Sequence, residues 1–342
     1  MNKTTKNGLL MIVSVVIVLV IVVCAGLTCL SWVEEQSKEE ETVETEAGVA
    51  DVYTYEDILA AKAEGRQELL DEIKEKIEAG YNATGALRQV YADTDEILVA
   101  TDGEIVFVPV SENVEKSTFL QDNLQVLESG EFQYVENGEV TSHKGIDVSR
   151  FQEEIDWEQV AADGVEYAFI RVGIRGYGSG ALVEDDAYET NVEGALAQGI
   201  AVGVYFYSQA ITVEEAVEEA DFVLEALGRY DSITYPIVID IEKVGEEGAR
   251  ADALTKEERT QICLAFCERI VEAGYTPMIY GNTETFTLLL DIEQIAQYDR
   301  WIAFYDEILC FPYEFSVWQY THNGTVAGID SSTDLNLSFK EW

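Results

Sequence analysis

The sequence predicts an α/β protein in which a TIM-like (β/α) barrel with helix-poor last strands is preceded by a transmembrane helix and a small α+β module. After Lys144, short apolar strand patterns alternate with helical patterns, which is typical of a parallel sheet covered by helices. Before it come a long uncharged apolar run and then a mixture of helical and hairpin patterns. An open α/β sheet is the alternative architecture for the part after Lys144.

Residues 1–32 are predicted to form a membrane anchor. Lys3 and Lys6 precede an apolar run from about Leu9 to Leu30 that contains no charge. At ~1.5 Å per helical residue, such a run crosses a hydrocarbon core of ~30 Å. The lysines before it and the glutamates after it predict an amino terminus inside the cell and the bulk of the chain outside. A cleaved secretory signal is the alternative interpretation, and it also places the remainder outside the cytoplasm.

An acidic linker is predicted at 33–50, because this stretch is rich in Glu, Thr, Val and Ala and lacks apolar periodicity. Residues 51–142 are predicted to form a small α+β stem module. Its first part is expected to be an amphipathic helix, since apolar residues recur at helical spacing from Tyr55 to about Gly80.

The rest of the module is predicted to contain two hairpins and a short helix. Asp102-Gly103 lies between two strand-like runs and Asn137-Gly138 follows another, and both dipeptides favour two-residue hairpin turns. The short helix is expected at 119–127. We interpret the module as a spacer, because no residue in it points to a ligand.

The barrel is predicted to occupy residues 143–342. Its expected strands are short and rich in Val, Ile, Tyr or Phe, and they lie at 145–148, 166–172, 200–207, 235–240, 276–280, 300–305, 315–319 and 333–336. The helices expected between the earlier strands lie at 155–163, 186–198, 213–228, 256–273 and 284–296. In such barrels the chemistry collects at the C-terminal ends of the strands.

Composition argues against several functional classes. A net charge of −45 repels nucleic acids, so no nucleic-acid role is expected. The two histidines, His143 and His322, are too few for most histidine-based metal sites and make a Ser-His-Asp mechanism a poor hypothesis. The five cysteines lack the spacing of a metal cluster. We therefore do not expect a metal site built from histidines or cysteines.

Carboxyl groups stand in or beside three of the predicted strands. Asp147 ends the first strand, Asp240 and Glu242 end the fourth, and Asp334 lies in the last. The strand period of two places Asp240 and Glu242 on one face, with Cα atoms ~6.5 Å apart. A single Asp at a strand end is more often a helix cap or a turn residue. Only the joint placement of these acids at strand ends indicates a functional site.

Aromatic residues end most of the other strands, namely Tyr205, Tyr207, Tyr280, Trp301, Tyr305 and Trp318. Most aromatic residues in strands belong to the core, but these share their strand ends with the acids. Cleavage of a glycosidic bond needs a proton donor for the leaving oxygen and a negative group near the developing positive charge. Clustered carboxyls supply both, because crowding raises one pKa while another acid stays ionised. The combined pattern is typical of a glycoside hydrolase.

The sequence also resembles glycoside hydrolase family 25, the N-acetylmuramidases or lysozymes of bacteria and their phages, over about residues 144–339. The shared motifs, in chain order, are GIDVS at 145–149, FIRV at 169–172, GVYFY at 203–207, DIE at 240–242, WIAFY at 301–305, WQY at 318–320 and DLN at 334–336.

The resemblance implies hydrolysis of the β-1,4 bond between N-acetylmuramic acid and N-acetylglucosamine in the glycan strands of peptidoglycan. Glu242 matches the general acid of the family. Asp240 matches the acid that orients or stabilises the N-acetyl group of the substrate, which would itself act as the nucleophile in a substrate-assisted reaction. Asp147 and Asp334 match the other two active-site acids.

The resemblance also implies roles for the residues around these acids. The aromatic residues named above would shape the substrate cleft, and Arg171 would support the carboxylates. The resemblance implies neither a metal nor a cofactor. Relatives often carry a histidine near the end of the third strand, where this chain departs from the pattern with Tyr207. No catalytic carboxyl is lost by this departure.

Two alternatives from other functional classes stay open. In the first, the chain is an inactive or weakly active surface protein that uses the barrel to bind the cell wall, although the intact acids argue against it. In the second, the chain is a surface scaffold whose residues 51–142 contact a membrane partner. The favoured hypothesis is a single-pass protein of the cell membrane with an extracellular catalytic domain.

Overall fold

The computed structural model describes residues 53–92, 94–230 and 232–342. The predicted anchor at 1–32 and the predicted linker at 33–50 lie outside the described residues. Of the helices that are described, none combines the length and the apolar character needed to cross a bilayer. The chain divides between Gly80 and Tyr81 into two compact units. The segment predicted as one stem module, 51–142, is therefore shared between them, and its part from Tyr81 onward belongs to the same unit as the barrel.

The first unit is described here by one helix, α1 (Tyr55–Glu78). A capping box fixes its start: the Thr54 hydroxyl accepts a hydrogen bond from the Asp57 backbone N–H, and the Asp57 carboxylate accepts one from the Thr54 N–H. None of its residues is buried. The helix predicted for this stretch is confirmed.

The second unit begins with short elements that precede the barrel, namely α2 (Ala83–Tyr91), β1 (Glu96–Thr101), β2 (Glu104–Pro109), β3 (Leu124–Val126), β4 (Phe132–Glu136) and β5 (Glu139–Val140). Both predicted hairpins are confirmed, because β1 pairs with β2 and β4 pairs with β5. The backbone φ angles are 49° and 79° at Asp102-Gly103 and 52° and 87° at Asn137-Gly138. Two positive φ angles in succession define the type I′ turn that these dipeptides favour.

The predicted helix at 119–127 is wrong. Gln121–Asn123 forms a single 3-10 turn, and the following residues form β3, which pairs antiparallel with β4. This pairing satisfies backbone N–H and C=O groups that a helix would otherwise have satisfied locally. A partner strand further along the chain thus overrides the local pattern.

The barrel follows, and its elements are β6 (His143–Val148), α3 (Trp157–Ala162), β7 (Tyr167–Arg175), β8 (Leu182–Glu184), α4 (Tyr188–Ala197), β9 (Ala201–Tyr207), α5 (Val213–Leu227), β10 (Ile237–Asp240), α6 (Lys256–Glu272), β11 (Pro277–Asn282), β12 (Asp299–Ala303), β13 (Val317–Gly324) and β14 (Thr333–Ser338). Within the described chain these strands form one sheet, and β6 pairs with both β7 and β14. Eight strands therefore close a barrel, while β8 is an antiparallel addition to β7. The predicted barrel is confirmed, and the open sheet is excluded.

One strand of the barrel runs against the others. Strands β6, β7 and β9 to β13 are parallel, whereas β14 is antiparallel to both of its neighbours. The carboxyl ends of the parallel strands consequently share one edge of the barrel, called here the upper edge, with the amino end of β14. In this register Asp334 lies directly opposite Asp147. The reversal of β14 is what brings the last predicted acid to the level of the others.

The predicted helix at 284–296 is also wrong. Only a π-helical turn, Thr285–Leu289, is present, and Leu290 after it is extended. The backbone N–H of Asp291 then donates to the hydroxyl of Thr260 on α6 rather than to a carbonyl of the preceding turn. A side chain of a neighbouring helix thus ends this segment early.

The last strands of the barrel are covered in an unusual way. In the described chain no α-helix lies between β12 and β14. Their outer side is covered instead by residues 116–142, called here the flanking segment. The Phe119 ring packs edge-on against Trp318 with centroids 5.8 Å apart, and Phe132 stacks on Tyr320 at 4.4 Å. The predicted helix-poor closing part is confirmed, and an aromatic interface replaces the missing helices.

Candidate active site

Four carboxyl groups meet in one cavity of about 270 Å³ at the upper edge of the barrel. The cavity is lined by Asp147, Arg171, Tyr205, Tyr207, Asp240, Glu242, Tyr280, Trp301, Tyr305, Gln319 and Asp334. All four predicted acids are therefore brought together. Every predicted substrate-contacting residue lies with them except Trp318.

Strand alternation directs the acids of β10 into the barrel. Ile237, Ile239 and Ile241 are buried in the main hydrophobic core outside the sheet. Asp240 and Glu242, which alternate with them, line the cavity. Glu242 lies just beyond the end of the strand, yet the alternation predicted for this triplet continues through it.

Asp147 is held by two amide side chains. Its Oδ2 atom accepts hydrogen bonds of 2.8 Å from Gln319 Nε2 and of 2.8 Å from Asn336 Nδ2. Burial raises the pKa of Asp147 well above its ordinary value, and the charge of Asp334 raises it further. Burial is also the largest cause that raises the pKa of Asp334, to about 6. The two facing acids therefore favour a state that retains a proton between them.

Glu242 and Asp240 are shifted in the same direction. Burial, with the charge of Asp147 as the second cause, raises the pKa of Glu242 to about 7. The pKa of Asp240 rises well above its ordinary value through burial first and then through the charges of Glu242 and Asp147, while Arg171 opposes the rise. Among the described residues, none hydrogen-bonds the buried Oδ1 atom of Asp240. That oxygen is a free acceptor at the cavity.

Gln319 connects the tyrosines of the cavity to Asp147, a role that sequence analysis missed. Its Oε1 atom accepts hydrogen bonds from the hydroxyls of Tyr280, at 2.8 Å, and Tyr305, at 2.7 Å. Its Nε2 atom donates to Asp147. One amide thus fixes the orientation of two rings and one carboxyl.

Asn336 plays the corresponding part on the other side of Asp147, and it was also missed. Its Oδ1 atom accepts a hydrogen bond of 2.8 Å from Trp301 Nε1, and its Nδ2 atom donates to Asp147. The signal that could have found it is strand alternation, because Asn336 lies two residues after Asp334 on the same face of β14.

Trp318 does not line the cavity, contrary to the prediction. It is fully buried on the outer side of the barrel, where its Nε1 atom donates to the Phe304 carbonyl at 2.7 Å and its ring contacts Phe119 and Phe132. Successive residues of a strand point to opposite faces, so an inward Gln319 requires an outward Trp318.

Arg171 lines the wall of the cavity and is itself fixed by a neighbour. Its Nε and Nη2 atoms lie 2.7 Å and 2.6 Å from Asp185 Oδ2, and its guanidinium lies 5.0 Å from the centre of the Phe151 ring. Its charge lowers the pKa of Asp240. This placement fits the predicted role of supporting the carboxylates.

The aromatic residues divide into a floor and a rim. Trp301 is only 1% exposed and stacks on Phe169 at 4.6 Å, so it forms the floor beneath the acids. Tyr305 is 51% exposed and stands at the rim. Burial raises the pKa of the Tyr205 and Tyr280 hydroxyls, which therefore stay neutral and able to donate hydrogen bonds.

A closed α/β barrel with clustered carboxyls, amides and aromatic rings at the carboxyl edge of its strands contains the groups that glycosidic-bond hydrolysis requires. Fold and site together define a glycoside hydrolase. Residues 146–329 match Glycosyl hydrolases family 25, and the chain belongs to this family. The resemblance inferred from the motifs between 144 and 339 is thereby confirmed.

Two relatives and two solved structures show how far the similarity extends. Lysozyme M1 of Streptomyces globisporus is 29% identical over 203 residues, which cover 56% of this chain and 66% of the relative. The uncharacterized protein YegX of Escherichia coli O157:H7 is 26% identical over 204 residues, which cover 56% of this chain and 68% of the relative.

Among solved structures, the modular autolysin LytC from Streptococcus pneumoniae matches with a TM-score of 0.53 and 22% identity, covering 70% of this chain but only 57% of that one. The spore cortex lytic enzyme SleM of Clostridium perfringens matches with a TM-score of 0.52 and 21% identity, covering 59% of this chain and 69% of that one. These two structures support the fold.

Proposed function

We propose that the barrel hydrolyses the β-1,4 bond between N-acetylmuramic acid and N-acetylglucosamine in peptidoglycan. Membership of the family and similarity to a relative named lysozyme support this activity. The observation that carries the proposal is the pairing, in one cavity, of Glu242, which has a pKa of about 7, with the unpartnered buried oxygen of Asp240. The first group supplies a proton, and the second supplies an acceptor for the substrate.

Glu242 acts as the general acid. The bond breaks when the leaving-group oxygen receives a proton as positive charge develops at the anomeric carbon. A carboxyl whose pKa lies near the working pH is protonated before the reaction and acidic enough to transfer its proton during it. Burial of Glu242 beside Asp147 produces this condition.

Asp240 orients the N-acetyl group of the substrate. A buried acceptor without a partner costs about 1–3 kcal/mol, and the amide N–H of an N-acetyl sugar can supply the missing donor. Arg171 opposes the rise in the pKa of Asp240 and so favours its carboxylate form. In that form Asp240 would stabilise the positive charge that arises when the acetyl oxygen attacks the anomeric carbon. Hydrolysis would then be substrate-assisted, one of the known exceptions to the two-carboxylate scheme.

The remaining groups hold the site in shape. Asp147 and Asp334 retain a proton between them, and the negative charge that the pair still carries adds to burial in raising the pKa of Glu242. Tyr205, Tyr207 and Tyr280 offer ring faces and hydroxyl donors to the sugar.

We further propose that the barrel acts outside the cell, held at the membrane by residues 1–32. The support is the uncharged apolar run and its flanking lysines. Treatment of intact cells with protease, followed by detection of the barrel with an antibody, tests this location. Loss of the barrel without cell lysis is expected, and full protection would overturn the proposal.

The activity is tested with the purified full chain on purified peptidoglycan, comparing wild type with Glu242→Gln. Wild type should release fragments that end in reducing N-acetylmuramic acid, identified by borohydride reduction and mass spectrometry, and Glu242→Gln should not. Glu246→Gln is the matched control, because it makes the same change at an exposed carboxyl four positions further on. Folded wild type that binds peptidoglycan but releases nothing would establish a cell-wall-binding protein instead.

A further inference from the structure

A second, larger opening borders the catalytic cavity at Tyr305. Its volume is about 780 Å³, compared with about 270 Å³ for the cavity, and it lies in the range of ~300–1,000 Å³ typical of ligand sites. Tyr305 lines both spaces: its hydroxyl bonds Gln319 inside the cavity, and its half-exposed ring borders the opening. The cavity and this opening, called here the flank groove, are therefore neighbours on either side of Tyr305.

The flank groove leaves the cavity sideways. It starts at the rim with Tyr305 and Asp306, follows Thr321 and Asn323 of β13, and is closed on its other side by Gly130 and Phe132 of the flanking segment. It ends near Asp163, which follows α3 at the base of the barrel. A linear glycan strand that crosses the upper edge would not descend this side of the barrel, whereas a branch of that strand would.

The charge of the flank groove determines which kind of branch of a glycan strand it can bind. Of the lining residues that the structure describes, none is Lys or Arg. Two of the lining carboxyls, on Glu131 and Asp163, are already paired with Lys144 at 2.7 Å and 3.0 Å. Asp306 and Glu307, at the rim, form no such ion pair among the described residues. The rim end of the groove therefore attracts a cation and repels an anion.

Hydrogen-bonding groups line the middle of the groove. The Thr321 and Asn323 side chains belong to the end of β13, and Asn323 is exposed. The stacked rings of Phe132 and Tyr320 form an apolar base beneath them. Polar groups above an apolar base suit a short peptide, whose backbone offers both donors and acceptors.

We propose that the flank groove binds the peptide stem of peptidoglycan, with the free amine of the diamino acid of the stem beside Asp306 and Glu307. The stem branches from N-acetylmuramic acid, the sugar whose bond the cavity cleaves, and its amine is consumed where that stem is the acceptor of a cross-link. The inference rests on the proposed function, and it makes the enzyme selective for stems whose amine has not been used in a cross-link. It also gives the flanking segment a role in substrate recognition.

The test measures binding, so that it does not depend on turnover. The full chain carrying Glu242→Gln is titrated calorimetrically with a disaccharide that carries the peptide stem, with the same compound acetylated on its amine, and with the disaccharide without a peptide. Exposed ion pairs contribute little each, so acetylation of the amine should weaken binding about two- to tenfold, and more at low salt. Removal of the peptide should weaken it further.

The substitutions Asp306→Asn and Glu307→Gln are then added to the Glu242→Gln chain. In this variant acetylation of the stem amine should no longer weaken binding, and the affinity for the peptide-free disaccharide should be unchanged. Glu225→Gln with Glu272→Gln is the matched control, because it removes two exposed carboxyls from the helices α5 and α6, and it should preserve the effect. Circular dichroism verifies that each variant is folded.

Equal affinity for the three ligands would overturn the inference. So would a double variant that loses affinity for all three to the same extent, because the groove would then act on the glycan alone. Absence of hydrolysis by wild type would refute the proposed function, yet the binding comparison would still decide whether the flank groove recognises the stem.

Discussion

Raising the pH from 6 to 8 should suppress hydrolysis by removing the proton from Glu242. Burial of this carboxyl and the charge of Asp147 raise its pKa to about 7. The general acid must enter the reaction protonated, and the protonated fraction of such a group falls from about 90% at pH 6 to about 10% at pH 8. We therefore expect kcat to fall about tenfold over this range and to approach a tenfold loss per further pH unit.

The assay is the initial rate of reducing-end release at saturating peptidoglycan and constant ionic strength. Unfolding must be separated from deprotonation, because Glu219, a buried carboxyl outside the cavity, also has a pKa raised to about 7 by burial. A raised folded-state pKa means that Glu219 favours the fold below its unfolded pKa and that this contribution is lost as the pH rises toward 7. The melting temperature is therefore recorded at each pH.

The variant Glu219→Gln provides the control. It removes the competing titration at a residue that does not line the cavity, but it also removes the buried partner of Arg175, so its melting temperature is recorded as well. In the folded variant the alkaline fall in rate should persist with the same midpoint. A rate that stays flat or rises between pH 6 and 8 in folded protein would refute the assignment of Glu242. A midpoint that moves with Glu219→Gln would show that the fall reports stability.

Three further substitutions test the site and its support. Asp240→Asn should lower kcat about 10²–10³-fold. Its melting temperature at pH 8 should not fall, because a buried carboxyl with a raised pKa destabilises the fold once it is ionised. A clear drop in melting temperature would contradict the conclusion that burial raises the pKa of Asp240. Gln319→Ala removes a hydrogen-bond partner from Asp147 and from two tyrosine hydroxyls. It should lower the free energy of unfolding, measured in urea, by about 1–3 kcal/mol. An unchanged urea midpoint would show that these hydrogen bonds do not stabilise the fold. Phe119→Ala removes a partly buried ring from its contact with Trp318 and should lower the free energy of unfolding by about 2 kcal/mol in the same measurement, without altering kcat of the folded fraction. An effect on kcat alone would contradict the packing role.

The acids of the site could be predicted because their strand neighbours identify the faces of the sheet. Ile239 and Ile241 are strongly apolar, so strand alternation assigns them to the core and the acids that alternate with them, Asp240 and Glu242, to the interior. The same reasoning applies to Asp334, since Leu335 packs outward. Local sequence was sufficient at these positions.

Trp318 could not be assigned in this way. Helices lie outside most strands of this barrel, but the aromatic flanking segment lies outside β13. An aromatic residue of β13 therefore suits the outer side as well as a sugar cleft. Only the contact with Phe119 and Phe132, far away in the chain, decides between the two.

The extent of the flanking segment could not be predicted from the sequence for the same reason. Leu124 has a local pattern compatible with a helix, but it pairs with Tyr134 in the neighbouring strand. The boundary expected at residue 142 ignored the packing of this segment on β13 and β14. Tertiary contacts of this kind cannot be recognised from a short window of sequence.

The reversed last strand returns the chain to the place where the barrel began. Ser338 of β14 stands opposite His143 of β6, at a Cα separation of about 5 Å. The flanking segment therefore enters the barrel beside the point where the last strand ends. Both natural connections also lie at the base, opposite the cavity, so a long polymer can pass across the upper edge without meeting either of them.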